Sequence, residues 1–309
     1  MSAKHQTWGW MLAVDFFFAG MGGAMLVIAG LADLFVGRDS VSLLGSVVGP
    51  LAMCVGCGFL ILELGRPLQA WRVFMNPKAI LTFGAWMMTF AIIFGFIFAS
   101  FAIDFSLFFW RDSALLRHLV AILMVVTGLI VATYPGVLLA RHKGRPFWVG
   151  PGIMGLFLLS SLVTAFAAHY LCGLIVAPRN VPYLWEAMPY VLGALLFAQG
   201  LLWCGYLWIK LSGTSKSEAA SAKRWISGDQ SQQFKLAFLF FGTVAPLILT
   251  LIPLTMAAAM AAVLALFGGV TMRLLTVNSG NDRTMIPGEA IYRSRLPKGH
   301  EKFLGKAWL

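Results

Sequence analysis

The sequence predicts an all-α integral membrane protein of eight transmembrane helices, arranged as two four-helix bundles. Three observations carry that expectation. Of 309 residues, 60% are hydrophobic and 11% charged, with a mean hydropathy of +0.84; such a sequence has lipid as its main solvent. Apolar runs of about 20 residues, long enough to cross the hydrocarbon layer as helices, recur along its length. The 23 Lys and Arg divide unevenly between the two sides that an even number of spans creates.

In order, apolar runs predict helices at 10–36, 41–64, 79–103, 115–140, 150–176 and 184–211. The first is too long for a signal-peptide core and lacks small-residue cleavage spacing, so it reads as a retained helix. After a polar loop, the 44 residues from Phe234 to Val277 hold two more spans, broken near Pro253. Residues 1–277 thus form the membrane domain, and 278–309 a basic tail too short to fold alone, suited to docking on a partner. Eight spans put both termini on one side. Nineteen of the 23 basic residues fall on that side, and only Arg38, Arg111, Arg117 and Arg179 on the other. By the positive-inside rule the termini are cytoplasmic. Lipids and protein subunits, not nucleic acid, are the partners this arrangement implies.

Cys54, Cys57, Cys172 and Cys204 all lie in apolar runs and form neither a disulfide framework nor a ligand cluster. The spacing in "CVGC" at 54–57, and Gly20, Gly22 and Gly23 in helix 1, read as close helix packing. Ionisable residues inside a span are functional-site candidates by default. Asp15 lies in the first turns of helix 1, Glu63 closes helix 2, and Tyr134 lies about two turns from the end of helix 4. All three reach similar depth from the same side. In "TYPGVLLARHKGRPFW", Pro135 leaves the Val131 carbonyl without its usual partner, so Pro135 and Gly136 are expected to open the helix wall beside Tyr134. Glu63 also suits snorkelling beside Arg66, and Tyr134 an interfacial aromatic belt. Both "ELGRPLQAW" and "HKGRPFW" carry Gly-Arg-Pro and then an aromatic, placing Arg66 and Arg145 at equivalent helix exits with Trp71 and Trp148 as candidate interface anchors.

The stretches "WGWMLAVDFFFAGMGGA", "ELGRPLQAWRVFMNP" with "TFGAW", and "TYPGVLLARHKGRPFW" resemble the NrfD/PsrC membrane subunits of the polysulfide reductase type, closely over helices 1 to 5 and mainly by topology beyond. The resemblance implies a quinone-reactive anchor subunit in the bacterial or archaeal cytoplasmic membrane, without haem or metal of its own. Its substrate would be menaquinone or ubiquinone. It would exchange electrons with a four-cluster iron–sulfur ferredoxin-like subunit serving a catalytic subunit, often a molybdopterin enzyme. The family's helix 1 polar position falls on Asp15, its helix 4 tyrosine on Tyr134 and its acidic residue closing helix 2 on Glu63, with Arg66 and Arg145 at the rim. Polysulfide-reductase-like members carry Asn and His in helix 1, where this sequence has Leu12 and Asp15. In this reading Tyr134 donates a hydrogen bond to a quinone carbonyl and Asp15 exchanges the accompanying proton.

Two other classes compete. A haem b anchor would need a histidine pair, for which His118 and His169 on helices 4 and 5 are the candidates; a proton route with Glu186 is the other functional reading, and structural histidines with hydrogen-bonded partners the favoured one. A secondary transporter would show repeated halves with broken helices meeting at the midplane. Here only the short Gly-Arg-Pro loops repeat.

Overall fold

The computed structural model describes residues 9–63, 67–75, 79–103, 110–142, 144–150, 152–213 and 215–280. Eight of its helices are long and apolar enough to cross a membrane. They are α1 (Trp10–Phe35), α2 (Leu43–Glu63), α3 (Ile80–Ala102), α4 (Ala114–Ala140), α5 (Gly152–Ile175), α6 (Pro182–Ser212), a seventh span Gln233–Thr250, and α9 (Thr255–Ser279). The seventh begins as a π-helix, Gln233–Val244, and ends as α8 (Ala245–Thr250). A break over 251–254, containing Pro253, separates it from α9, as the sequence predicts. Last-turn residues of α9 extend to Ser279, two positions beyond the expected boundary.

Two elements were not expected. A short 3-10 helix, Pro67–Met75, follows α2, and an amphipathic α7 (Lys216–Ile226) occupies the polar loop. The Ser215 hydroxyl caps α7 by accepting from Glu218 N, which supplies an acceptor for one of the helix's unpaired first-turn donors. Basic Lys223 and Arg224 complete its last turn, where the helix dipole favours them. α7 buries Ala222 and Trp225, and Trp225 stacks on Phe147 and Trp203. Length and polarity hid it, because 11 residues fall far below a span.

α1 is the central helix: 83% of its span is buried, against 28% for α3. It packs on α2, α3, α4, α5 and α9. Its glycines permit that crowding. A Cβ on Gly22 would meet the Gly49 carbonyl of α2 at 2.5 Å, and one on Gly23 the Gly128 carbonyl of α4 at 2.8 Å. Small residues let backbones approach where no hydrophobic effect drives helices together in lipid. α5 packs on α1, α2, α4, α6 and α9, and α9 also touches α6, α8 and the π-helix.

One basic residue is misplaced in the sequence's charge sorting. Arg273, counted with the terminal-side cations, is fully buried within α9 and bonded to other spans. Lys4, Arg66, Lys78, Lys143 and the tail from 281 onward lie outside the described residues.

Candidate functional site

Near the start of α1 a cavity with about 430 Å³ of space opens between the first four helices. Asp15, Phe16 and Ala19 from α1 line it, with Leu60 from α2, Gly84 and Met88 among others from α3, and Val131, Tyr134 and Pro135 from α4. Its wall is apolar apart from one carboxyl and one phenol.

Asp15 is 4% exposed, and its Oδ1 has no hydrogen-bond partner among the described residues. A buried carboxyl left so is costly unless it serves a ligand or a proton. Gly56 of α2 makes its close packing possible, since a Cβ there would stand 3.1 Å from Asp15 Oδ1. The Tyr134 hydroxyl donates to the Ile80 carbonyl at 3.3 Å. That is long for an O–H···O bond, whose usual length is about 2.7–2.8 Å, so the donor is readily transferred to a better acceptor. The ring lies directly over Gly84: a Cβ there would fall 2.4 Å from Tyr134 Cζ. Absence of a side chain at position 84 therefore sets where the phenol stands.

The structure thus brings Asp15 and Tyr134 to one cavity, while Glu63 and Arg145 are not among the residues that line it. Glu63 does not line it; its Oε1 accepts from Gly9 N at 2.9 Å, next to the first residue of α1. A carboxylate there complements the helix's positive end and ties the end of α2 to the start of α1. Arg145 is also absent from the lining; buried, its guanidinium lies 4.7 Å from the centre of the Trp148 ring. Trp148 is fully buried and donates to the Thr276 carbonyl of α9 at 2.7 Å, so it is no interface anchor, whereas Trp71 is half exposed. The two Gly-Arg-Pro exits are alike in sequence and different in surroundings. Arg66 lies outside the described residues. α4 runs unbroken through Pro135 and Gly136. Pro135 lines the cavity, but Gly136 does not: a Cβ on it would meet Met154 Cα of α5 at 2.7 Å, so it serves helix packing.

The histidines are held separately. His169 is buried with Nε2 3.0 Å from the Met25 carbonyl and its ring against Gly45, while His118 Nε2 lies 3.3 Å from Arg117 Nη2. Among the described residues no three His, Cys, Asp or Glu side chains gather as a metal site. Sequence reading missed Arg273, which donates to Phe16 O, beside the cavity wall, at 3.0 Å. An arginine inside the last apolar run, four residues before its end, was the signal available.

Fold and cavity together define a multi-pass α-helical membrane protein with an apolar cavity at one end of its first four helices. Its sequence narrows that class. The model of the family "Polysulphide reductase, NrfD" matches residues 2–282, and the protein belongs to that family. The C subunit of the polysulfide reductase of Wolinella succinogenes is 26% identical over 78% of this sequence and 82% of its own length. Protein NrfD of Escherichia coli is 24% identical over 58% of this sequence and 63% of its own length.

Proposed function

We propose that this protein is the membrane anchor of a respiratory oxidoreductase and binds a quinone in the cavity between Asp15 and Tyr134. The observation that carries the reading is the buried, unpartnered Asp15 carboxyl facing an apolar cavity that also receives the Tyr134 phenol. A quinone is an apolar ring with two acceptor oxygens, which fits an apolar slot offering one donor and one proton-exchanging group. Kinship with the polysulfide reductase subunit supports placement in an oxidoreductase complex.

In this mechanism Tyr134 orients the ring by donating to one carbonyl. Asp15 passes protons to and from the ring oxygens. Reduction of quinone to quinol takes up two electrons and two protons, and oxidation releases them. Electrons come from or go to an iron–sulfur subunit docked on the side of the termini, which serves a catalytic subunit of molybdopterin or other type. Tail residues 281–309, outside the described residues, supply basic docking contacts. The excess of Lys and Arg in the loops on that side supports a cytoplasmic location for it.

Purification of the native complex tests this. The protein is expected to co-purify with an iron–sulfur protein and to yield extractable menaquinone or ubiquinone near one per complex. Purification without redox partners and without quinone would contradict the reading.

A further inference from the structure

Arg273 carries a positive charge in the interior of the membrane domain, and no carboxylate pairs with it among the described residues. Its Nε donates to Phe16 O at 3.0 Å. Nη1 donates to Ser160 Oγ at 2.7 Å and Gly269 O at 3.2 Å, and Nη2 to Ser161 Oγ at 3.0 Å. The guanidinium carbon also lies 5.7 Å from the ring centres of Phe17 and Phe157. Gly20 leaves the room: a Cβ there would stand 2.6 Å from Ser161 Oγ and 3.0 Å from Arg273 Nη2.

These bonds lead to both helices that carry the cavity's polar groups. Phe16 follows Asp15 and itself lines the cavity. Ser161, which accepts from Arg273, donates to Phe157 O at 2.8 Å and, more weakly, to Ala132 O at 3.4 Å, two residues before Tyr134. One side chain from α9 therefore fixes α1 beside Asp15 and, through Ser161, reaches α4 beside Tyr134. An unpaired buried cation is expensive in a span. Geometric fixing alone does not require the charge, since neutral donors can hold carbonyls and hydroxyls.

We propose that Arg273 is a positioning residue for the quinone pocket, and that its uncompensated charge makes the pocket prefer a ring bearing negative charge. The proposal rests on the cavity being a quinone site. A unit charge acting across roughly one helix diameter, about 10 Å, at the effective dielectric of buried sites changes anion affinity about tenfold or somewhat more. Reduction puts negative charge on the ring oxygens before protons neutralise it, so such a field favours the species on which Asp15 then acts.

The test compares two ligands of nearly equal shape on the assembled complex: 2-hydroxy-1,4-naphthoquinone, ionised at neutral pH, and its neutral 2-methoxy ether. Wild type is expected to bind the anion about tenfold more tightly than the ether. Arg273→Gln should weaken the anion about tenfold more than the ether, so that the preference is lost, and Arg273→Lys should restore it. Equal affinities in wild type, or equal loss of both ligands in Arg273→Gln with no rescue by Lys, would overturn the charge role. If Arg273→Gln fails to assemble, the wild-type ratio still decides. Binding of neither ligand to wild type would instead reject the quinone site, and this proposal with it.

Discussion

Asp15 and Asp33 lie on the same helix, 18 residues and so about 27 Å apart, and each is 4% exposed. Their surroundings differ in one respect that matters. Asp33 Oδ1 stands 3.2 Å from Arg117 Nη1 of α4, beside a cavity that also receives Arg38, Asp39 and Ser40. Asp15 has no ion-pair partner among the described residues and faces an apolar space with a phenol across it. Burial of an acid is common to both, so burial alone does not mark a reactive site. The partner does: a paired carboxylate bonds the helices together, whereas an unpaired one is available to a ligand. Asp33 joins α1 to α4 at one end of the bundle; Asp15 leaves the other end open.

Removal of one member of the pair should break this contrast most visibly. Arg117→Ala leaves Asp33 buried beside a vacancy and is expected to destabilise the protein by about 3–5 kcal/mol. Thermal unfolding of the solubilised protein measures it. Replacing both, Asp33→Leu with Arg117→Leu, should recover much of that loss, because a buried pair contributes little beyond an apolar isostere. Asp15→Asn should leave the unfolding temperature unchanged or raise it slightly. A large loss in Asp15→Asn would make the two aspartates alike.

Gly84→Ala comes next. Its methyl would fall 2.4 Å from a rigid ring carbon of Tyr134, so the ring must move or the helices part, an overpacking that costs about 1–3 kcal/mol. Quinone turnover should drop while turnover with a soluble artificial partner, which bypasses the pocket, persists. Equal turnover in both assays would show that the phenol's position does not matter. The smallest effect belongs to Tyr134→Phe, which removes one hydrogen bond worth about 0.5–1.5 kcal/mol net and should raise the quinone KM by roughly three- to tenfold.

The extent to which this was legible in the sequence follows the same physics. All eight spans could be placed because hydrocarbon demands about 20 apolar residues per crossing, and even the tight break at Pro253 left a trace. Asp15 and Tyr134 stood out as polar groups in apolar runs. What the sequence could not resolve is which neighbour each polar group meets. Asp33 drew no attention, yet it is as buried as Asp15, and its partner Arg117 lies 84 positions away. Glu63 was expected at the depth of Asp15 and Tyr134, and Arg145 at a helix exit beside them, but Glu63 turns to Gly9 N and Arg145 to Trp148, which hydrogen-bonds to α9. Arg273 was sorted with the loop cations because hydropathy counts charges without seeing the serines opposite them. α7 escaped because an 11-residue amphipathic helix has the composition of a polar loop.

Turnover by the assembled Asp15→Asn, Tyr134→Phe double variant tests the central claim most directly, measured with a quinol or quinone and, in parallel, with a soluble artificial electron donor or acceptor. Loss of a general acid–base group typically lowers rates by about 10²–10⁴-fold. Quinone-linked turnover is therefore expected to fall at least about a hundredfold, while the artificial reaction stays within about twofold of wild type. Quinone-linked turnover near wild type in a correctly assembled double variant would contradict the account.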